Sequence, residues 1–401
     1  KDYFMETMSD MSYIIDTLYV LFAMTLVVFM YPGFAMLEAG IVRTKNVTAV
    51  LTINILIFSI ASLAFVLVGY SLAFGEGLND ENINYATVLF QMAFVGKAMN
   101  VMSGGISERA RVIPIAIFTI IMSSVLYPLV VNLTWGSNFL KDTILDISSM
   151  HDLAGSTVIH STGGWALLAA LLIVGARTGR YTKEGGVRVI PASNIPLVTL
   201  GALLLWIGWF GFNGGSVGSI ATKEDAHLVS LVILNTNTAG FAGAIAVAIM
   251  MYILYKKFDI TMILNGGLGG LVSITAAADV VGVYSPILIG AIGGILVVLG
   301  VFMFDKLRID DPVGALSVHL INGIWGTLAV GIFASNGDDI TFLGQLKGVV
   351  FVGVFVFVSS YVLLYILHKI MPVRAKRDQE MQGLDVEECG LEAYPEFKRA
   401  F

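Results

Sequence analysis

Two histidines deep in apolar segments are the side chains with the most definable chemistry. His160 ends the stretch DLAGSTVIH (152–160) and His319 ends the stretch DPVGALSVH (311–319), so both stretches match D-x-x-G-x-x-x-x-H. A neutral imidazole offers one donor and one acceptor, and two facing imidazoles can share a proton and line a narrow path. The alternative is a pair of core histidines bonded to backbone carbonyls. Two ionisable side chains at matching depth favour a functional site, because such groups are costly inside apolar helices.

The aspartates that begin the two stretches have a simpler interpretation. Asp152 and Asp311 lie where each helix is expected to begin, and a carboxylate in that position satisfies free backbone N–H groups. Capping is therefore the main role that we expect for both residues. Asp152 could in addition favour a cation at its end of the molecule.

Aromatic side chains gather in three further motifs. Phe90 and Phe94 lie in FQMAF, Trp135 lies in LTWG, and Phe212 lies with Ser216 in GWFGFNGGS. An aromatic residue in a membrane helix is usually a packing residue or an interface anchor. A cluster of ring faces with one nearby hydroxyl would instead hold a small cation by cation–π attraction and a hydrogen bond.

Lys97 does not fit a simple apolar helix. It lies one helical turn beyond Phe94 and has no carboxylate at helical spacing on its own helix. A lone charge in that position must reach the interface, pair across helices or lose its proton. Glu38 and Glu108 are its candidate partners. A charged Lys97 that faced a pore would repel cations and block it.

The elements that carry these residues are predicted to be membrane helices. Hydrophobic residues make up 57% of the 401 positions and charged residues only 13%, whereas a soluble domain has about 25% charged residues. The single cysteine, Cys389, excludes a disulfide framework, and no basic cluster suggests a nucleic acid partner. A bilayer core needs about 20 apolar residues per helix. On that basis the sequence predicts an all-α integral membrane protein with eleven spans, near 13–42, 47–75, 86–106, 112–133, 153–176, 193–217, 228–255, 260–280, 284–304, 312–334 and 342–370.

Loop charges set the predicted orientation. Cytoplasmic loops carry an excess of Lys and Arg, and here alternate loops are basic, from Arg43 and Lys45 to Arg374 after the last span. We therefore expect the N-terminus outside and the C-terminus in the cytoplasm, in a cell (plasma or inner) membrane. The two histidine stretches then enter from opposite sides, as in an inverted repeat with a site near the midplane. We expect a membrane domain at 1–370 and a cytoplasmic tail at 371–401.

Taken together, the motifs resemble those of the ammonium transporter family (Amt/Mep/Rh). The resemblance covers nearly the whole chain and implies two inverted five-helix repeats plus a final helix. It also implies that the protein is surrounded by membrane lipid and assembles as a homotrimer with one pore per subunit. The order of the motifs makes it specific: PGFAMLEAGIVRTKN (32–46), GYSLAFGEG (69–77), FQMAF (90–94), DLAGSTVIHSTGGW (152–165), GWFGFNGGS (208–216), DDPVGALSVH (310–319) and GLDVEECGLEAY (383–394).

The resemblance also implies a role for each aromatic and polar motif residue. Trp135, Phe94 and Ser216 match the outer site that recruits ammonium, and Asp152 matches an aspartate near that site. Phe94 and Phe212 match a stacked phenyl gate.

The histidines complete the implied mechanism. His160 and His319 match the twin histidines that line the pore. Ammonium would bind at the outer aromatic site and lose its proton, and neutral ammonia would pass through the gate and along the imidazoles. This is transport rather than an enzyme reaction, and it requires no cofactor.

Two departures from the family pattern leave a second function open. Lys97 stands where the family usually has a small or hydroxyl residue, and Cys389-Gly390-Leu391 stands where the tail usually reads His-Gly-Glu. Some members are fused to signalling domains and act as ammonium receptors, and a lysine that plugs the pore would suit such a sensor. A start at Lys1 rather than methionine is consistent with a piece of a longer protein or with a processed signal junction. The tail would then lead to a fused signalling domain, whereas a transporter could instead meet a cytoplasmic PII-type regulator.

A third hypothesis is a membrane cytochrome, because two buried histidines can ligate haem. No separate haem pattern accompanies the histidines. The sequence therefore favours the transporter and the sensor over this class.

Overall fold

The protein is a bundle of long helices. The structure, a computed structural model, describes residues 2–81, 83–335 and 339–396. Across these ranges the chain is helical or irregular, with three isolated β-bridges and no β-strand. The all-α class predicted from the sequence is confirmed.

Nine helices in the described ranges are long and apolar enough to cross a membrane, so this is a multi-pass membrane protein. Two more helices belong to the bundle: the 22-residue Tyr85–Ile106, which carries Lys97, and the 15-residue Ile260–Ile274. In chain order the helices are α1 (Ser9–Ile41), α2 (Thr44–Phe74), α3 (Tyr85–Ile106), α4 (Val112–Thr134), α5 (Ser156–Val174), α6 (Ile195–Gly215), α7 (Lys223–Tyr255), α8 (Ile260–Ile274), α9 (Ser285–Lys306), α10 (Leu316–Phe333) and α11 (Phe342–Ile370).

The two helices that carry the histidines begin in the same way. Gly155 and Gly314 have φ angles of 106° and 78°, a conformation that glycine adopts without steric cost. The carboxylate of Asp152 then accepts the N–H groups of residues 155–158, at 2.8–3.0 Å. Asp311 likewise accepts two N–H groups of the turn that follows it, at 3.1 and 2.7 Å. The D-x-x-G part of each stretch is thus a helix start.

The first turn of each of these helices is also wider than an α-helical turn. The segments Ser156–Ser161 and Leu316–Ile321 are π-helical, and His160 donates its backbone N–H five residues back to Gly155 at 3.0 Å. Such turns are rare and occur frequently at functional sites. Here each wide turn contains one of the two histidines.

Buried charges concentrate at the opposite end of the bundle from Trp135. The Arg177 guanidinium binds Asp310 at 2.8 Å and Glu108 at 3.1 Å, and Arg43 also pairs with Glu108. Burial alone would raise the pKa of Asp310, but the hydrogen bonds from Arg177 and the charge of Arg109 outweigh it and lower this pKa to about 2. Asp310 therefore stays ionised at neutral pH.

The segment after α11 folds against this charged end. It contains two short helices, α12 (Arg377–Gln382) and α13 (Leu384–Cys389). Three of its carboxylates accept backbone N–H groups of the bundle at 2.5–3.0 Å: Glu380 from Thr178, Asp385 from Ala49 and Glu388 from Val112. The described part of the tail, up to residue 396, is thus bound to the helices rather than separate from them.

Candidate functional site

The two histidines meet in the interior of the bundle. Their Nδ1 atoms lie 3.2 Å apart, and the rings are 5.1 Å apart at 17°. His160 is 2% exposed and His319 is 5% exposed. A contact between two ring nitrogens requires one to donate and the other to accept, so the pair shares one N–H in this contact.

A stack of phenyl rings covers the histidine pair on one side. The Phe212 ring lies 5.4 Å from the His160 ring, and Phe94 stacks on Phe212 at 4.5 Å and 26°. Phe94 and Phe212 are at most 1% exposed. These two buried rings therefore lie between the histidines and the space beyond the stack.

Beyond this stack lies a cavity of about 200 Å³, which we call the vestibule; it is lined by Val20, Thr87, Phe90, Gln91, Phe94, Trp135, Leu153, Gly215, Ser216 and Gly218. The Trp135 ring lies 6.2 Å from the Phe94 ring. The Ser216 hydroxyl donates to the carbonyl of Phe212 at 2.8 Å, so its oxygen can still accept a hydrogen bond. Ring faces and one acceptor oxygen suit a small cation.

Asp152 acts on the vestibule through its backbone. Its carboxylate caps α5, and its carbonyl accepts the indole N–H of Trp135 at 2.8 Å. The side chain is not among those that line the vestibule. This geometry agrees with the capping role expected from the sequence and shows how the same residue positions the indole.

The structure corrects the expected pairing of Lys97. Neither Glu38 nor Glu108 binds it, because Glu38 accepts from Ser103 and Asn54 and Glu108 pairs with arginines. The Lys97 Nζ atom has no hydrogen-bond partner in the described part of the chain.

Ring faces surround the lysine instead. Its Nζ lies 3.7 Å from the ring centroid of Tyr31 and 4.8 Å from that of Phe34. The Phe34 ring is in turn 6.2 Å from the His319 ring. Lys97 therefore lies beside the histidine pair, held by cation–π contacts when it is charged.

Three residues of this site escaped sequence reasoning. Trp209 stacks on His160 at 5.1 Å, and Tyr31 and Phe34 hold Lys97. An aromatic residue in an apolar helix is usually core packing, so their types alone carried no signal. Only the spacing of Tyr31 and Phe34, one helical turn apart, indicates that they share a face.

A histidine–aspartate pair lies next to the cap of α5. His151 Nε2 is 3.0 Å from Asp279 Oδ1. Burial lowers the pKa of His151, but the hydrogen bond and charge of Asp279, with the charge of Asp152, outweigh it and raise this pKa above its usual value.

The raised pKa predicts that the protein loses stability as pH rises. The stabilisation of the folded state by the His151–Asp279 pair is fully present below about pH 6.5, the usual pKa of histidine. It disappears as pH rises through the higher pKa of His151 in the folded state. We expect the unfolding temperature in detergent to fall between pH 6 and 8 by more in the native protein than in Asp279→Asn. Equal slopes for the two proteins would contradict this prediction.

The fold and this site together define a multi-pass membrane protein with an aromatic-lined vestibule above a buried histidine pair. The model of the family described as "Ammonium Transporter Family" matches residues 18–394 of this chain. The chain belongs to the ammonium transporter family, as its motifs indicated.

Individual relatives agree with this assignment. The chain is 34% identical over 419 residues to "Ammonium transporter Amt2" of Archaeoglobus fulgidus, covering 96% of this chain and 89% of that protein. It is similar to a solved structure named "Sensor Amt Protein", with a TM-score of 0.89, 33% identity and coverage of 95% and 100% of the two chains. Mep2 of Saccharomyces cerevisiae matches with a TM-score of 0.81 and 25% identity, covering 91% of this chain and 90% of that chain.

Proposed function

We propose that this protein transports ammonium across a membrane. The observation that carries the proposal is a continuous column of rings from the vestibule to the histidines. Consecutive centroids from Trp135 through Phe94, Phe212 and His160 to His319 are 6.2, 4.5, 5.4 and 5.1 Å apart. The column begins at a site suited to a cation and ends at groups that hold and pass protons.

The physical steps follow from this order. The faces of Trp135 and Phe94 attract ammonium, and Ser216 accepts one of its N–H bonds. Water cannot accompany the ion past the closed phenyl stack, so a bare charge would have to enter an apolar region at high cost. Loss of the proton gives ammonia, which is neutral and can accept from or donate to the shared N–H of His160 and His319.

The finer architecture is also part of the proposal. We infer eleven spans, α1–α11, in two inverted five-helix repeats plus a final helix. The similar starts of α5 and α10, each with an aspartate cap and a glycine at positive φ, support this repeat. We propose a membrane domain at 1–370 and a cytoplasmic tail at 371–401 in a cell membrane, with the N-terminus outside and the vestibule on that outer face. We also propose that the protein assembles as a homotrimer and that its tail contacts a PII-type regulator.

A second candidate function is ammonium sensing without efficient conduction. Two observations favour it: Lys97 lies beside the histidine pair, and one similar structure is named "Sensor Amt Protein". In this alternative Lys97 plugs the pore, and the tail leads to a signalling domain. A gene that continues past Phe401 into such a domain would favour the sensor.

Because the Trp135 ring lines the vestibule, we predict that Trp135 controls the affinity for ammonium. Trp135→Leu removes a ring face, and a cation–π contact in a desolvated site contributes about 2 kcal/mol. We expect the half-saturating ammonium concentration for transport to rise by about tenfold or more, since a factor of ten corresponds to about 1.4 kcal/mol.

Trp135→Phe is the matched control, because it keeps a ring while losing the same N–H contact to Asp152. Trp135→Phe should raise the half-saturating ammonium concentration by less than Trp135→Leu does. Equal effects of the two substitutions would assign the role of Trp135 to that hydrogen bond, against the proposed ring contact.

A further inference from the structure

A large cavity opens on the side of the bundle between α1, α2 and α3. Its volume is about 540 Å³, within the range of about 300–1,000 Å³ that is typical of ligand pockets. Pro32 of α1 and Ile55 of α2 line it and are exposed, and both lie well inside membrane-spanning helices. The cavity therefore opens towards the lipid, and it shares no lining residue with the vestibule.

Two buried asparagines give this otherwise apolar cavity a polar wall. Asn54 of α2 is 4% exposed and Asn100 of α3 is 0% exposed, and both line the cavity. The Asn54 amide nitrogen donates to Glu38 at 2.7 Å and to the carbonyl of Val50 at 3.0 Å, but its oxygen has no partner among the described residues. The same is true of both the oxygen and the nitrogen of the Asn100 side chain. Buried polar groups in native proteins are nearly always paired, so these three atoms point to a ligand.

The unpaired atoms define the kind of group that they can bind. The Asn54 oxygen accepts a hydrogen bond, and the Asn100 amide both donates and accepts. An ionised carboxylate only accepts and an ammonium group only donates, so each would leave one kind of atom unpaired. None of the described residues that line the cavity is charged, and an unpaired charge in such surroundings is costly. The complementary group is therefore uncharged and both donates and accepts, as a hydroxyl does.

We propose that this cavity binds a lipid alcohol, a membrane-soluble molecule with one hydroxyl group on an apolar chain. The hydroxyl pairs with the amides of Asn54 and Asn100. The chain contacts the rings of Tyr31 and Phe58 and leaves past Ile55 at the mouth of the cavity. Binding at this site requires no ammonium, because the cavity includes neither the vestibule nor the histidines.

Tyr31 connects the cavity to Lys97. Its ring lines the cavity and lies 3.6 Å from the Phe58 ring, centroid to centroid, while the Lys97 Nζ lies 3.7 Å from the centroid of the same Tyr31 ring. An occupant that packs against the ring in this position favours it over other positions. The lipid alcohol therefore keeps Lys97 beside the histidine pair and lowers the ammonium current. This consequence rests on the proposed function, whereas the binding site does not.

The test is photocrosslinking of the purified full chain with hexadecanol that carries a diazirine in its chain. We expect the label in the part of α2 that lines the cavity, residues 48–58. Two further probes have the same chain but end in a methyl group or a carboxylate. Each should label this segment about tenfold less at equal concentration, which is the expected scale for the loss of a hydrogen bond.

Asn100→Leu is the main variant, because the Asn100 side chain forms no hydrogen bond with the described residues and its replacement breaks none. It should reduce labelling by the alcohol about tenfold and leave labelling by the methyl-ended probe unchanged. Ala35→Phe fills the cavity and keeps both amides, so it should reduce labelling by the alcohol to the level of the methyl-ended probe. Leu234→Phe, at an exposed position of α7, is the matched control and should label like the native protein.

Three outcomes would overturn the site. They are equal labelling by the alcohol and the methyl-ended probe, full labelling of a folded Asn100→Leu protein, and no label in residues 48–58. In the last case water or a second copy of the chain fills the cavity instead.

The link to Lys97 has a separate measurement. Hexadecanol added to liposomes should lower the ammonium current of the native protein but not that of Asn100→Leu or Lys97→Thr. Labelling of the cavity with equal inhibition of all three proteins would retain the site and contradict the link through Tyr31. A native protein that is labelled but carries no ammonium current would contradict the proposed transport and leave the site standing.

Discussion

Replacing Lys97 with threonine is expected to raise the ammonium-driven current of the reconstituted protein by about tenfold or more. The Lys97 Nζ lies on the faces of Tyr31 and Phe34, beside His319. When charged, it repels a nearby cation by about 4 kcal/mol at 4 Å and an effective dielectric constant of about 20. Threonine removes that charge and opens space at the same point. The current would be measured on a solid-supported membrane after an ammonium concentration jump.

Lys141→Thr is the matched control for this experiment. Lys141 is exposed, so its loss changes the net charge by the same amount without touching the site. It should leave the current unchanged. If Lys97→Thr also leaves the current unchanged, Lys97 lies off the conducting path. The proposal that its charge blocks the pore would then be wrong.

Replacing His160 or His319 with alanine should strongly lower the ammonium-driven current. His160→Ala or His319→Ala removes one partner of the 3.2 Å contact and leaves the other imidazole buried without it. A positioned proton donor or acceptor typically contributes about 10²-fold to 10⁴-fold to a proton-transfer step. We therefore expect the ammonium current to fall by about a hundredfold or more in either variant.

His227→Ala is the control, because His227 is exposed and far from any proposed role. Each variant's unfolding temperature should be measured alongside its current, since a buried truncation also leaves a cavity. A folded His160→Ala protein that conducts like the native one would remove the histidines from the mechanism.

The sequence predicted those parts of the molecule that local chemistry dictates. Membrane helices follow from runs of apolar residues, and the all-α class and the family are confirmed. The aspartate caps at Asp152 and Asp311 were predicted from position alone, because a carboxylate before an apolar helix has few other uses. The meeting of His160 and His319 followed from a repeated spacing.

The parts that the sequence missed depend on contacts between distant helices. The partner of Lys97 could not be predicted, since Tyr31 and Phe34 are aromatic residues in an apolar segment and resemble core packing. Glu38 was considered only as a partner for Lys97, whereas its neighbours are Ser103 and Asn54 on two other helices. The attachment of the tail through Glu380 also needed coordinates, because its partner Thr178 is 202 residues away in the chain.

The most direct test of ammonium transport is the current that an ammonium concentration jump drives in liposomes containing the native protein, Lys97→Thr, and Lys97→Thr combined with His160→Ala. The account predicts a saturable current in the native protein, a larger one in Lys97→Thr, and a loss of about a hundredfold when His160 is also removed. Protein-free liposomes set the background. No current above that background in the native protein would contradict transport, and a current that appears only in Lys97→Thr would support the sensor instead.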